Sequence, residues 1–135
     1  MSNYYGNGRS NYIKVSDIEK FKALCDERSL VCKLNEETGE VACFASNDNE
    51  SGEIPSIVYD DDGNNVELPN FFKEVSKLLV DDYVFIWRHI GNEKLRYFCG
   101  YSVAINSKGK RINISLDDIY EKAEKLGTKV TLAQF

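Results

Sequence analysis

The chain of 135 residues holds one histidine, His89, and four cysteines, Cys25, Cys32, Cys43 and Cys99. Nucleophilic catalysis on a Cys or Ser requires a base beside the nucleophile. His89 alternates with Tyr83, Phe85 and Trp87 at strand spacing, so the expectation is an imidazole packed within a sheet or at its edge. No catalytic residue is assigned and no enzyme activity is expected. No two cysteines have C-x-x-C spacing, and a lone histidine does not complete a zinc set with them. They are read as small buried apolar residues, with neither metal nor cofactor expected. Asp60-Asp61-Asp62-Gly63 has the look of a calcium loop. Aligning Gly63 with the invariant glycine of an EF-hand, however, puts Val58 and Pro69 where the first and last carboxylates must stand. An acidic turn is the better reading. Gly6-Asn7-Gly8-Arg9-Ser10 resembles a phosphate cradle in composition only, since no strand precedes it and no helix directly follows. Residues 1–10 are therefore read as a flexible arm.

The carboxylates are the more informative group. Ten of the 22 acids, Glu36, Glu37, Glu40, Asp48, Glu50, Glu53, Asp60, Asp61, Asp62 and Glu67, lie between positions 34 and 72, where there is no Lys or Arg. The other 12 acids face all 17 bases, so the net charge of -5 divides into a segment of -10 and a remainder of +5. Two readings follow. One is a solvated surface insertion, part of its charge neutralised internally by Lys14, Lys33, Arg96 or Arg111. The other is a negative patch complementary to a basic cleft on a partner, which would steer association. An acidic total argues against general nucleic-acid binding, because phosphate contacts need an excess of bases.

The elements that would hold these residues can be read from the pattern. Tyr12–Val15 is a short β-prone run, and Ser16 followed by Glu19 is a capping box, so a helix begins at Ser16 or Asp17 with Ile18, Phe21, Leu24 and Cys25 on its apolar stripe and residues 26–28 mostly outside it. Leu30–Leu34 and Val41–Ala45 form a hairpin about Glu37-Thr38, in which facing positions sum to 75 and Cys32 meets Cys43; Gly39 supplies a positive φ. Residues 46–67 lose periodicity and form an acidic insertion, with a small hairpin of residues 56–59 against 66–68. Pro69 or Asn70 opens a helix burying Phe72, Val75, Leu78 and Leu79. Tyr83–Ile90 and Leu95–Asn106 flank a turn at Gly91-Asn92-Glu93, and Gly100 marks a bulge or bend. Arg111–Ile114 is a further strand. A last helix starts near Ser115 and is lined by Leu116, Ile119, Tyr120, Ala123 and Leu126, with Gly127 at its end. The order β-α-β-β, insertion, α-β-β-β-α predicts a single α+β domain with helices packed on one face of a mostly antiparallel sheet. No apolar run reaches 18 residues and no signal-peptide pattern opens the chain, so a cytoplasmic protein without membrane association is expected.

An RNA-recognition reading draws on Tyr83, Phe85, Trp87, Tyr97 and Tyr101 with Arg9, Lys14, Arg88 and Arg96. The run Arg96-Tyr97-Phe98-Cys99-Gly100-Tyr101 does not follow the basic-Gly-aromatic order of such sheets, and core is the commoner fate of these rings. Binding of a nucleotide signal has no motif to support it. Finally, Gly8-Arg9-Ser10-Asn11-Tyr12-Ile13-Lys14-Val15, Leu95-Arg96-Tyr97-Phe98-Cys99-Gly100-Tyr101 and Ser115-Leu116-Asp117-Asp118-Ile119-Tyr120 together resemble small acidic proteins of phages and mobile elements, including anti-restriction and anti-CRISPR proteins. The resemblance spans about half of the chain. It implies an inhibitor that binds a host defence protein in the host cytoplasm, by way of that protein's basic nucleic-acid cleft, and the ten acids would be the partner-binding residues. The positive remainder departs from whole-molecule DNA mimicry and favours a local blocking patch.

Overall fold

The computed structural model describes residues 4–46 and 50–133. In chain order the elements are β1 (Tyr4–Ser10), α1 (Ile18–Glu27), β2 (Leu30–Asn35), β3 (Glu40–Ala45), β4 (Ile57–Tyr59), β5 (Asn65–Glu67), α2 (Phe71–Leu78), β6 (Val84–Glu93), β7 (Tyr97–Asn106), β8 (Arg111–Ser115) and α3 (Asp118–Ala123). Six strands form an antiparallel sheet in the order β2-β3-β1-β6-β7-β8, and β4 and β5 pair as a separate hairpin. The fold is α+β, as the alternation of periods predicts. None of the described helices is long and apolar enough to cross a membrane.

The glycine-rich start corrects the expectation of a flexible arm. Residues 4–10 are β1, near the middle of the sheet, paired with β6 from Tyr4↔Glu93 to Ser10↔Trp87. Its glycines are space-makers: a Cβ on Gly6 would collide with the Ser51 carbonyl, and one on Gly8 with the Trp87 ring. β3 pairs with β1 only at Arg9↔Phe44. Farther along, the chain after β3 takes over, and the Gly6 amide donates to the Glu50 carbonyl at 2.7 Å. The run Tyr12–Val15 is not a strand; Ile13 and Val15 make isolated bridges to Val41 and Leu79.

Asp17 caps α1, accepting from the Lys20 amide at 3.1 Å, and Phe21 and Cys25 are buried as the stripe predicts. Arg28, placed outside that stripe by its charge, is nearly inaccessible. Its guanidinium donates to the Leu24 carbonyl at 3.0 Å and the Pro69 carbonyl at 2.6 Å, pairs with Glu27 at 3.2 Å and stacks on Phe71. These bonds offset much of the cost of burying the charge, with Nε left without a partner among the described residues, and they join α1 to α2. The β2–β3 register follows the predicted sum, with Cys32 opposite Cys43. Asn70 caps α2 through the Lys73 amide. That helix is rotated from the expected phase, burying Phe71 with Val75 and Leu79 and leaving Phe72 at the margin, where Arg111 stacks on it at 4.8 Å.

The β6–β7 ladder runs unbroken from Val84↔Asn106 to Glu93↔Tyr97. The turn is therefore Lys94-Leu95-Arg96, with Lys94 at φ 50°, and not Gly91-Asn92-Glu93; Gly91 instead leaves room for the Tyr4 ring. Gly100 makes no bulge, and Leu116 occupies the space beside it. The buried apolar residues form one cluster, in which α1 and α2 cover the face of the sheet bearing Phe85, Trp87, Val41 and Ile105. α3 departs from the expected packing. It is six residues long with none buried, and Leu116, Ile119 and Leu126 are exposed.

Candidate functional site

The expected partner-binding carboxylates fall on three separate elements. Glu36 and Glu37 are exposed at the β2–β3 turn, where the Glu37 amide bonds the Asn35 side chain. Glu40 turns inward and accepts from the Tyr83 hydroxyl at 3.1 Å. Asp48 lies outside the described residues. Glu50 is exposed and Glu67 stands on β5. Asp60 is committed to its own turn, accepting from the amides of Asp62 at 3.0 Å and Asn64 at 2.8 Å; with Gly63 at φ 81° this closes the β4–β5 hairpin. That use of its carboxylate is structural. The carboxylates of Asp61, Asp62 and Glu67 have no hydrogen-bond or ion-pair partner among the described residues, and the same hairpin exposes Ile57, Tyr59 and Val66. Internal neutralisation by Lys14, Lys33, Arg96 or Arg111 does not occur among the described residues, where the four salt bridges lie elsewhere.

Glu53 belongs to a different arrangement, built around the buried His89. The strand alternation of β6 points His89 to the helix-covered face with Phe85 and Trp87. Its Nδ1 is 3.3 Å from the Gly52 carbonyl, which can only accept, so Nδ1 carries a proton. Nε2 meets the Tyr4 hydroxyl at 2.7 Å and Glu53 at 3.3 Å. The ring stacks on Tyr101 at 4.9 Å, and the Tyr101 hydroxyl donates to Glu53 at 3.0 Å. Burial holds the Tyr101 phenol above its ordinary range, reinforced by the Glu53 charge, and burial followed by Cys99 does the same for Tyr4. Both phenols stay protonated and act as donors. The network ties residues 50–53 to β1, β6 and β7, and it gives His89 a structural role in the sheet.

The thiols behave as packing groups. Cys25, Cys32 and Cys43 form one cluster, with Cys25 held well above the ordinary thiol range by its hydrogen bond to Cys43 and then by burial, and Cys32 pushed up to about 11 chiefly by burial. Raised thiols make poor nucleophiles. All four cysteines are free.

The rings named for an RNA-recognition surface are on the wrong side. Phe85 and Trp87 are fully buried under α1 and α2, and Tyr101 stacks on His89. The opposite face of the sheet carries Tyr5, Phe44 and Phe98 beside Arg9 and Arg88, rings that sequence reasoning passed over. The signal was the alternation of Arg88 and Ile90 against Trp87 and His89, but it leads to Arg9 and Tyr5 only once residues 4–10 are recognised as a strand. Comparison with known protein families, curated proteins and solved structures finds nothing that matches this chain.

Proposed function

We propose that the chain is a non-enzymatic binding protein of phage or mobile-element type, which inhibits a host CRISPR or restriction protein by presenting carboxylates to its basic nucleic-acid-binding cleft. The observation that carries this reading is the β4–β5 hairpin, where Asp61, Asp62 and Glu67 are unpaired beside exposed Ile57, Tyr59 and Val66. Carboxylates unused by the fold steer a basic partner, and the apolar side chains supply the contact area that charge alone does not. Glu36 and Glu37 extend the negative field from the β2–β3 turn. Glu40 and Glu53, which the fold uses, are supports and leave the interface to the others.

The test is capture of the partner from host lysate, followed by direct binding of the purified pair. Changing Asp61→Lys and Asp62→Lys together, with Asp60 kept for the turn, is expected to weaken the complex by about tenfold or more and to restore the partner's nuclease activity. Unchanged affinity and unchanged inhibition would refute the assignment.

A further inference from the structure

The side of the sheet turned away from α1 and α2 has a regular cross-strand layout. One row, read through the pairings, runs Ile114, Ser102, Arg88, Arg9, Phe44, Val31 across all six strands. Arg9 and Arg88 stand directly opposite one another, both exposed. Like charges in that relation destabilise a strand pair. Nothing in the fold offsets them: neither guanidinium has a carboxylate partner among the described residues, and Arg9 has only the neighbouring Ser10 carbonyl, at 3.1 Å. A second row places Tyr5, Asn92 and Phe98 side by side, both rings being half-exposed or more. Between the two rows lie Asn7, Ile90 and Gly100, with Leu116 packed over Gly100. A groove of about 630 Å³ bounded by Arg9, Arg88, Phe44 and Ile90 continues into one of about 510 Å³ walled by Tyr5, the two sharing Asn7 and Ile90.

We propose that this open face binds single-stranded nucleic acid, with Arg9 and Arg88 on backbone phosphates and Tyr5, Phe44 and Phe98 as platforms for unpaired bases. Charge and shape choose the ligand together. Paired guanidiniums with no counter-ion among the described residues match a phosphate backbone. Rings lying on an open sheet stack on bases whatever their sequence, and a duplex keeps its base faces hidden. The two rows are four residues apart, ~13 Å along the strands, which is the length of about four stacked nucleotides. The net charge of -5 does not oppose this: of the nine described acids of the acidic segment, Glu50 alone lines these grooves, at the end away from the arginines. The face shares no residue with the β4–β5 hairpin, so it stands independently of the inhibitor reading.

The experiment is fluorescence anisotropy of the full chain with labelled oligo(U) and oligo(dT) of about 12 nucleotides, a duplex of equal length, and polyphosphate as competitor. Binding of either single strand supports the proposal, and the two strands compared tell RNA from DNA. The logarithmic salt slope is expected near -1.4, from about -0.7 for each of two phosphates. Arg9→Ala and Arg88→Ala should each weaken binding about tenfold and lower the slope to about -0.7. Tyr5→Ala with Phe98→Ala should weaken it about tenfold at an unchanged slope. Arg88→Thr removes the like-charge pair, so its thermal midpoint is expected at or above that of the parent, which separates lost binding from lost folding. No binding at low salt, duplex or polyphosphate bound as well as the single strands, or arginine variants that bind normally would each overturn the proposal.

Discussion

Individual titratable residues make the interior sensitive to alkali. Cys32 is raised to about 11 from an ordinary 9.0 by burial, Cys25 is raised from 9.0 by its bond to Cys43, and Tyr4 and Tyr101 are raised from 10.0 by burial first. In the unfolded chain each releases its proton near the ordinary value, while the folded chain still holds it. The folded state then binds more protons, and stability falls as pH rises. Stability contributed by these groups is intact below about pH 9 and is lost between there and the raised values. Thermal midpoints measured by circular dichroism should decline from about pH 9 and more steeply above 10. Cys32→Ala should blunt the first part of the decline and Tyr101→Phe the later part. A midpoint that stays level from pH 9 to 11 would show that these protons are not held by the fold. At this scale the sequence was partly legible. It placed His89 in a sheet and Cys32 opposite Cys43, whereas the Glu53 contacts, to His89 and Tyr101, join residues 36 and 48 positions apart and no local pattern announces them.

At the scale of elements, short-range rules served well where they applied. Capping chemistry placed the starts of α1 and α2 to within a residue, at Ser16 or Asp17 and at Pro69 or Asn70, although Asp17 caps α1 in place of the Ser16–Glu19 box, and hairpin arithmetic set the β2–β3 register. They failed where a distant group decides the local residue. The alternate positions of β1 are Tyr4, Gly6, Gly8 and Ser10, which give no apolar alternation, because Trp87 and residues 51–52 already fill the space a side chain would take. Gly91 and Gly100 looked like turn and bulge signals for the same reason, when each makes room for a ring or a leucine. The apolar pattern after Asn113 suggested a packed helix, yet those side chains remain exposed. A direct check is Gly8→Val, which should cost about 3 kcal/mol through overpacking against Trp87 and would be read in urea unfolding. A loss under about 0.5 kcal/mol, the range of an ordinary surface substitution, would mean that residues 4–10 are an arm after all.

For the whole molecule, the division of charge sets apart two surfaces. A +5 scaffold and a -10 segment become, in three dimensions, a sheet face with two opposed arginines and a projecting hairpin with unpaired carboxylates. The sequence made the excess of acid visible but not its distribution, since Glu40, Glu53 and Asp60 are taken up by a tyrosine, a histidine network and a turn. What remains for a partner is smaller and more local than ten carboxylates suggest. Steering of a basic partner by the hairpin can be read from stopped-flow association of the purified pair across a salt series. The expected on-rate falls steeply with salt, and is about tenfold lower for the Asp61→Lys, Asp62→Lys variant at low salt but converges with the parent at about 1 M, where screening shrinks to roughly 3 Å. Equal on-rates for parent and variant at low salt would contradict it.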